Sequence, residues 1–304
     1  MTMYTCFNKK RLPLLFILLS VLGLGLVTGC VKENLDACYQ VVIKVVNLNG
    51  DEITGSGDVS HATLFVFDRD STFLESIAVD REVIVNKRPV VLNYPVDRPL
   101  HLVAFGGTVP LETKQAVPEL TGSAKMSDLK VRMKESNNVA LPPDDLFSGV
   151  EDVTISKSDF RTYEVVIRKK VTKVIVRTEG FSHIPTKAVA GYSFRVLDVP
   201  GGFDYRGEGL DETAVYNPDY RLIAEKNVLL SDTSNVVPDK RIYAEFTRPD
   251  GTTDRVETDD DNEPFIPKLG ENLTIVFVYG PDGTLSCRTE VTPWGTGDDQ
   301  NIEF

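Results

Sequence analysis

Short apolar runs with a period of two recur along the chain and restrict it to strands. Residues 192–196 and 241–247 alternate apolar with polar side chains, which is the pattern of a strand with one buried face. Residues 63–67, 100–105 and 273–279 are apolar on both faces. These three runs predict central strands of a packed β-sandwich.

Other short runs carry the same signal and are separated by turn residues. Pro249-Asp250-Gly251 is a tight-turn sequence, because Pro presets φ and Gly supplies the positive φ; residues 281–283 repeat it. The further predicted strands are residues 41–46, 72–79, 89–92, 163–168, 171–178 and 285–291. Many short strands with little helix predict an all-β fold.

Two stretches depart from this pattern. Residues 127–133 predict one short helix, with Ser127 as N-cap and Leu129 and Met133 facing inward. Residues 200–240 carry few periodic apolar residues and predict loops with one or two strands.

The length of 304 residues fits one large or two medium domains. The chain shows a weak internal similarity: residues 41–46 and 62–68 resemble residues 171–177 and 192–198. One strand pattern stops and another begins near Arg168-Lys169-Lys170. We therefore expect an N-terminal β-sandwich domain at residues 38–168 and a C-terminal one at residues 169–304.

The first residues resemble a secretion signal. Lys9-Lys10-Arg11 precedes an apolar stretch at residues 12–27. At about 1.5 Å per residue this stretch spans roughly 24 Å as a helix, short of a hydrocarbon core of about 30 Å. A signal peptide at residues 1–29 is therefore favoured over a permanent membrane helix.

The cleavage region indicates a lipid anchor. Leu26-Val27-Thr28-Gly29-Cys30 resembles a bacterial lipobox, in which the Cys30 thiol accepts diacylglycerol. Several acyl chains anchor a protein stably, since each buried CH₂ contributes about 0.8 kcal/mol. The alternative is a plain signal peptide with a chance cysteine. Residues 30–37 would form the lipidated linker.

Charge excludes some partners. The formal net charge is −12, and it becomes more negative once the basic leader is removed. Nucleic-acid binding needs clustered Lys and Arg to contact phosphates, so this class is disfavoured. Loose adhesion to anionic lipid headgroups is disfavoured for the same reason.

The residues offer little catalytic or metal-binding chemistry. His61, His101 and His183 are the only histidines, and none has another histidine within metal-ligand spacing. Because His101 lies inside an apolar strand, a structural role is expected for it. No nucleophile elbow or phosphate loop occurs. We therefore predict no catalytic residue, no metal, no cofactor and no small-molecule substrate.

Two acidic groups allow alternatives. Residues 257–263 could hold calcium, but they lack the Gly and distal Glu of an EF-hand loop, so a solvated loop is favoured. Asp144 and Asp145 could serve a glycosidase, but such carboxylates must flank a sugar ring, which neighbours in sequence do not demonstrate.

Cys38 and Cys287 remain in the mature chain besides Cys30 and are candidates for one disulfide in an oxidising compartment. The alternative is two separate thiols. Cys287 lies on the apolar side of an alternating run, as a small buried hydrophobe does.

An ordered set of segments resembles the FimB-type fimbrial anchor lipoproteins. The segments are Cys30 to Cys38, residues 64–68, residues 102–107, residues 144–149, residues 168–174, and Trp294 with Gly297, Asp298 and Ile302. They span essentially the whole mature chain. Glu33 and Asp36 behind Cys30 also resemble a surface-export signal of Bacteroidales lipoproteins.

The resemblance implies two tandem transthyretin-like Greek-key β-sandwich domains. It also implies an outer-membrane, surface-exposed subunit that anchors a type V pilus, limits its length and joins a fimbrial stalk subunit by strand addition. Residues 295–304 are a candidate joining segment, or else a buried closing strand. A stalk or tip fimbrillin and a surface glycan-binding lipoprotein remain as alternatives.

Overall fold

The computed structural model describes residues 39–94, 98–154, 162–180 and 191–294, in which strands predominate. One helix, α1 (Arg81–Val85), and two 3₁₀ turns, Leu111–Thr113 and Met126–Asp128, accompany them. The strands are β1 (Tyr39–Val46), β2 (His61–Asp68), β3 (Phe73–Asp80), β4 (Val90–Leu92), β5 (Leu100–Gly107), β6 (Gln115–Ala116), β7 (Val131–Met133), β8 (Glu135–Ser136), β9 (Val139–Ala140), β10 (Phe147–Val153), β11 (Thr162–Lys169), β12 (Thr172–Glu179), β13 (Ser193–Pro200), β14 (Gly202–Phe203), β15 (Thr213–Tyr216), β16 (Tyr220–Ile223), β17 (Val228–Ser231), β18 (Ser234–Val236), β19 (Tyr243–Thr247), β20 (Thr253–Val256), β21 (Glu271–Tyr279) and β22 (Leu285–Pro293).

A seven-stranded sheet organises the first half, in the order β3-β2-β5-β10-β11-β1-β4. Its central strands are buried on both faces. Leu64 and Leu102 point into one core cluster, whereas Phe65 and Phe105 point into a second. This explains why β2 and β5 are apolar at nearly every position, since neither face of a central strand meets water.

Two sheets organise the second half. One has the path β16-β17-β12-β21-β22, with β18 also pairing with β12, and the other has the order β15-β13-β19-β20. Phe246 of β19 and Phe277 of β21 share the same core cluster, with ring centroids 6.0 Å apart. The two sheets therefore pack face to face, as sheets of a sandwich do.

The first strand of each half pairs in parallel with a later strand. β1 runs parallel to β11, and β12 runs parallel to β21. Two parallel strands cannot be joined by a tight hairpin and need a crossover connection. In each half, the strands that lie between the two members of the pair in sequence form this connection. The predicted all-β sandwich fold is confirmed.

The two halves also share strands and a core. β14 of the second half pairs with β7 of the first. Arg132 makes an ion pair with Glu212, N to O 3.1 Å. The Met133 amide donates to the Gly201 carbonyl, N to O 2.8 Å. β11 ends at Lys169 and β12 begins at Thr172, and the domain division at residue 168 stays a prediction.

Most strand predictions are confirmed within two residues of the observed ends. The two turn predictions are also confirmed. Residues 249–251 connect β19 to β20, and residues 281–283 connect β21 to β22. Gly251 and Gly283 have φ of +84° and +83°, a conformation that side chains with a Cβ rarely adopt.

The predicted helix at residues 127–133 is wrong. A single 3₁₀ turn, Met126–Asp128, precedes strand β7 (Val131–Met133), and Lys125 rather than Ser127 is the N-cap. Leu129 and Met133 are buried as predicted. Pairing of β7 with β6 and β14 satisfies its backbone, so tertiary pairing overrides a local helical spacing.

Residues 200–240 contain more strands than predicted. The prediction is one or two strands, whereas the structure has five complete strands there, β14 to β18. These strands are two to four residues long, too short for a periodic pattern to appear. Helix α1 was not predicted, because it has only five residues and directly follows a strand. Asp80 is its N-cap, and the Asp80 side chain accepts a hydrogen bond from the Val83 amide.

Among the described residues, no helix has both the length and the apolar character that crossing a bilayer requires.

Candidate functional site

The predicted lipid and disulfide residues fall mostly beyond the described ranges. Cys30 and Cys38 lie outside the described residues, as do Gly297, Asp298 and Ile302. Cys287 lies in β22 and is buried. Burial raises the pKa of its thiol to about 12, and the nearby Asp260 and Asp259 add to the effect. Its pairing with Cys38 stays a prediction.

The remaining histidine and carboxylate candidates have structural partners. His101 lies opposite Asp152 in the β5–β10 pair, with its Nδ1 2.5 Å from a carboxylate oxygen. Asp145 pairs with Lys169 at 2.7 Å, whereas Asp144 accepts a hydrogen bond from the Thr108 hydroxyl. The two neighbouring carboxylates therefore face different partners rather than a shared site.

The acidic run at residues 257–263 fixes a loop to β22. Asp260 accepts from the Cys287 amide through Oδ1 at 2.8 Å, and its own amide donates to the Cys287 carbonyl at 2.8 Å. Asp259 accepts from the amides of Asp261 and Glu263. Within the described ranges, no three His, Cys, Asp or Glu side chains are placed to hold a metal ion.

Segments far apart in sequence meet at the junction of the two halves. Lys169 pairs with Asp145, and its ammonium also lies 4.5 Å from the centre of the Trp294 ring. The Lys170 amide donates to the Leu146 carbonyl, N to O 2.7 Å. We name Asp145, Leu146, Lys169, Lys170 and Trp294 the junction cluster. It joins three of the segments on which the family resemblance rests.

Two glycines allow the backbones at this junction to approach closely. A Cβ at Gly107 would lie 2.9 Å from the Asp145 carbonyl oxygen. A Cβ at Gly149 would overlap the Val166 carbonyl oxygen. Since real Cβ atoms do not approach backbone so closely, these positions require glycine.

A loop of the second half packs onto the same junction. Asp204 holds this loop by accepting from the amides of Arg206 and Glu208. Gly207 has φ +74°, and a Cβ there would overlap the Ser148 hydroxyl oxygen. Burial lowers the pKa of Lys170 beneath this loop, although the carboxylates of Glu208 and Asp204 oppose the shift.

Sequence reasoning found the segments of the junction but not their contact. A turn at residues 207–209 is predicted from the glycines, and the structure has a turn in this loop, but nothing in the sequence indicates that the loop packs onto the junction. The sequence signal of the loop is Asp204 four residues before Glu208 with Gly207 between them, which is typical of an Asx-type turn. No local pattern reveals which distant strand such a turn contacts.

The open sheet edges are the surfaces on which strand addition could occur. In the described part of the chain the three largest sheets end at β3 and β4, at β16 and β22, and at β15 and β20. Of these edge strands, only β3 and β22 are longer than four residues. Both long edges are partly covered: the Asp260 contacts cover β22 at Cys287, and residues 124–126 cover the start of β3 at Phe73. The part of β3 after Phe73 stays open in the described part of the chain.

A charged network covers the outer face of the second-half sheet. Arg177 of β12, whose side chain is 7% exposed, pairs with Glu179 and Glu290 at 2.7 Å each. Arg288 of β22 pairs with the same two carboxylates, at 2.8 and 3.0 Å. The network ties two strands together across β21, a stabilising contact between elements.

Solved structures share this fold. The fimbrial anchor protein Mfa2 from Porphyromonas gingivalis aligns with a TM-score of 0.61 at 12% identity, covering 84% of this chain and 98% of that one. A candidate polysaccharide binding protein from Bacteroides thetaiotaomicron aligns with a TM-score of 0.64 at 14% identity, covering 84% and 98%. At such identities the likeness shows the fold alone. The molecule is of the all-β class that fimbrial and adhesin-like proteins share.

Sequence comparison identifies the family. The profile of the fimbrillin-A associated anchor proteins Mfa1 and Mfa2 matches residues 35–299. The major fimbrium anchoring subunit FimB of Porphyromonas gingivalis is 23% identical over 300 residues, covering 94% of this chain and 96% of that protein. The chain therefore belongs to the fimbrial anchor subunit family, and the resemblance found in its motifs is confirmed. This family consists of structural subunits that associate with fimbriae.

Proposed function

We propose that this chain is an outer-membrane lipoprotein that fixes the base of a type V pilus to the cell surface and limits its length. The family match across residues 35–299 carries the proposal. The matched relatives are named for anchoring a fimbrium. The sequence before the match supplies the lipobox that such a role needs.

Cys30 would carry the lipid. A polymer under shear needs a base that does not leave the membrane, and several acyl chains provide one. The acidic residues behind Cys30 favour display on the outer surface. The chain would thus hold its β-domains outside the cell, where a stalk subunit can reach them.

Strand addition is the joining mechanism that we propose. An extended segment of one subunit completes the sheet of another, and main-chain hydrogen bonds provide the strength. An anchor that offers one competent joining surface ends the polymer at its own position. A single joining surface supports a role in limiting fimbrial length, because each anchor occupies the base of one fimbria.

Replacing the lipid-bearing cysteine tests the anchor. We expect Cys30→Ala to abolish incorporation of labelled palmitate and to release the protein from outer-membrane fractions. Cys6→Ala is the matched control, because it removes a cysteine of the same leader. Unchanged palmitate labelling in Cys30→Ala cells would refute the lipid site.

Deleting the gene tests the role in fimbriation. Negative-stain microscopy should then show long fimbriae shed into the medium rather than attached to cells. Cross-linking of the tagged wild-type chain in outer membranes should give a ladder of one repeating partner. Normal attached fimbriae in the deletion strain would exclude the proposal, and a single unladdered band would favour a stand-alone glycan-binding lipoprotein.

A further inference from the structure

A half-open pocket of about 360 Å³ lies beside the edge strand β3. That volume falls in the range of about 300–1,000 Å³ that is typical of ligand pockets. Its apolar lining comes from Phe65, Phe73, Val117, Pro118 and Leu120. We name it the β3 pocket. Neither the lipid anchor nor the junction cluster uses it.

Hydrogen bonds fix the loop that roofs this pocket. On one side of the roof the Phe73 amide donates to the Ala124 carbonyl, and the Met126 amide donates to the Ser71 carbonyl, each with N to O 2.8 Å. On the other side β6 pairs with β7. The segment between these attachments, residues 117–123, therefore arches over the sheet, and the pocket is a built feature of the fold.

The charged residues of the lining are all acidic. Glu75, Glu112 and Glu119 line the pocket, and no Lys or Arg does. The Glu75 carboxylate accepts from the Tyr94 hydroxyl at 2.8 Å, and Tyr94 packs against the core cluster on the opposite face of the sheet, so Glu112 and Glu119 supply the carboxylates of the pocket rim. Glu112 and Glu119 are exposed, and within the described ranges neither of their carboxylates makes an ion pair.

Nearby cations do not neutralise this group. The Lys134 ammonium donates to the backbone carbonyls of Glu112 and Thr113 rather than to a carboxylate. Lys114 lies 4.0 Å from Asp144. An apolar, partly aromatic floor with an acidic rim is complementary to an arginine, whose planar cation stacks on rings and pairs with carboxylates.

The pocket opens beside a strand edge that can receive a partner. β3 is the outer strand of its sheet. Residues 124–126 cover its first residue, because the Phe73 amide donates to the Ala124 carbonyl and Thr72 forms a bridge with Lys125. In the described part of the chain no strand pairs with the free side of the residues that follow Phe73. A segment added to that edge would place alternate side chains on the two faces of the sheet. One of these faces is the face of Phe65 and Phe73, where the pocket lies.

We propose that the β3 pocket receives an arginine, flanked by apolar residues, from an extended segment of the fimbrial stalk subunit. The identity of the partner rests on the proposed function, whereas the chemistry of recognition rests on the pocket. A neutral glycan is the competing ligand, and the acidic rim disfavours it because a neutral ligand leaves those carboxylates without a counter-charge.

Peptide binding to the purified full mature chain tests the chemistry. The probe is a fluorescein-labelled peptide Thr-Val-Arg-Val-Thr, with capped termini, measured by anisotropy. We expect it to bind at least tenfold more tightly than the same peptide with citrulline or Glu in place of Arg. Equal binding of the three peptides, no binding of any, or binding of a neutral β-glucan hexasaccharide instead would overturn the proposal.

Two variants locate the binding. The double change Glu112→Gln with Glu119→Gln should weaken binding of the arginine peptide at least tenfold, because it removes the carboxylates of the rim. Both side chains are exposed, so the replacement leaves the fold intact. Glu225→Gln with Glu263→Gln is the control, because it removes the same charge elsewhere on the surface. Ser76→Trp should obstruct the pocket independently of charge. Unchanged binding in both pocket variants would refute the site.

Cells separate this proposal from the anchor role. In fimbriated cells the pocket variants should lose the cross-linked ladder while keeping palmitate labelling and protein level. An unchanged ladder in these variants would overturn the pocket proposal and leave the anchor role standing. Attached fimbriae in a deletion strain would instead overturn the anchor role, and with it the stalk subunit as the source of the arginine. The comparison of the arginine, citrulline and Glu peptides would then decide whether the pocket recognises arginine.

Discussion

At the scale of single residues, close backbone packing places strict demands on a few side chains. Gly149 lies where β10 and β11 separate, and a Cβ there would overlap the Val166 carbonyl oxygen. A Cβ at Gly122, by contrast, would meet no atom within 4 Å. Neither residue has a positive φ, so the two differ only in available space.

We expect Gly149→Ala to destabilise the protein by about 1–3 kcal/mol, because the added methyl overpacks a backbone contact. Gly122→Ala should leave the free energy of unfolding unchanged or raise it slightly, since it restricts the unfolded chain. Urea unfolding of both variants measures the difference. Equal stabilities of the two variants would contradict the close approach of β10 to β11.

A second residue-scale prediction concerns Cys287 and pH. Burial raises the pKa of its thiol from 9.0 to about 12 in the folded state. Above pH 9 the unfolded chain therefore loses a proton that the folded chain retains, so the free energy of unfolding falls between pH 9 and pH 12. The free energies of unfolding of the wild type and of Cys287→Ala are compared across this pH range in reducing buffer. The wild-type value should fall more steeply with pH, by up to about 1.4 kcal/mol per pH unit, than that of Cys287→Ala. Identical slopes would show that the thiol does not titrate as stated.

At the scale of elements, the charged network on β12 and β22 secures an edge strand to its sheet. Arg177 is nearly enclosed and lies between two carboxylates, whereas Arg255 of β20 is 44% exposed and pairs with Glu257 at 3.3 Å. Removing a buried partner leaves uncompensated charge, while exposed pairs contribute little.

Arg177→Met should therefore lower the free energy of unfolding by about 1–3 kcal/mol, discounted from fully buried pairs because Glu179 and Glu290 are partly exposed. The matched change Arg255→Met should cost less than about 1 kcal/mol. Thermal unfolding at low and high salt is the measurement, and salt should reduce the loss. Equal losses in the two variants would argue against the network.

At the scale of the whole molecule, the two halves are one cooperative body in our interpretation. Phe65 and Phe105 of the first half lie in the same core cluster as Phe246 and Phe277 of the second. The β7–β14 pairing adds main-chain hydrogen bonds between the halves. A body with one shared core is expected to unfold in one transition.

Cutting the chain at the proposed division tests this expectation. Residues 169–304 alone should bind a hydrophobic dye, because the cut exposes apolar surface that the first half covers. Co-expression with residues 38–168 should restore a soluble pair and abolish dye binding. Separate, native-like melting of each fragment would instead mean that the halves are independent domains.

The sequence alone determined many of the long strands, the two hairpin turns and the family. Alternation and Gly-containing turns act within a few residues, so β2, β5 and β21 and the turns at residues 249–251 and 281–283 could be read directly. The lipobox and the ordered motifs are local sequences as well. These local sequences indicate the fimbrial anchor family without reference to any tertiary contact.

Only the tertiary structure decided what those elements meet. It made residues 131–133 a strand rather than a helix, because β6 and β14 pair with them. It brought Asp145, Lys169 and Trp294 together and left β3 with an open edge beside an acidic pocket. Such contacts join residues that are distant in sequence, and their free energy comes from burial and pairing that no local pattern records.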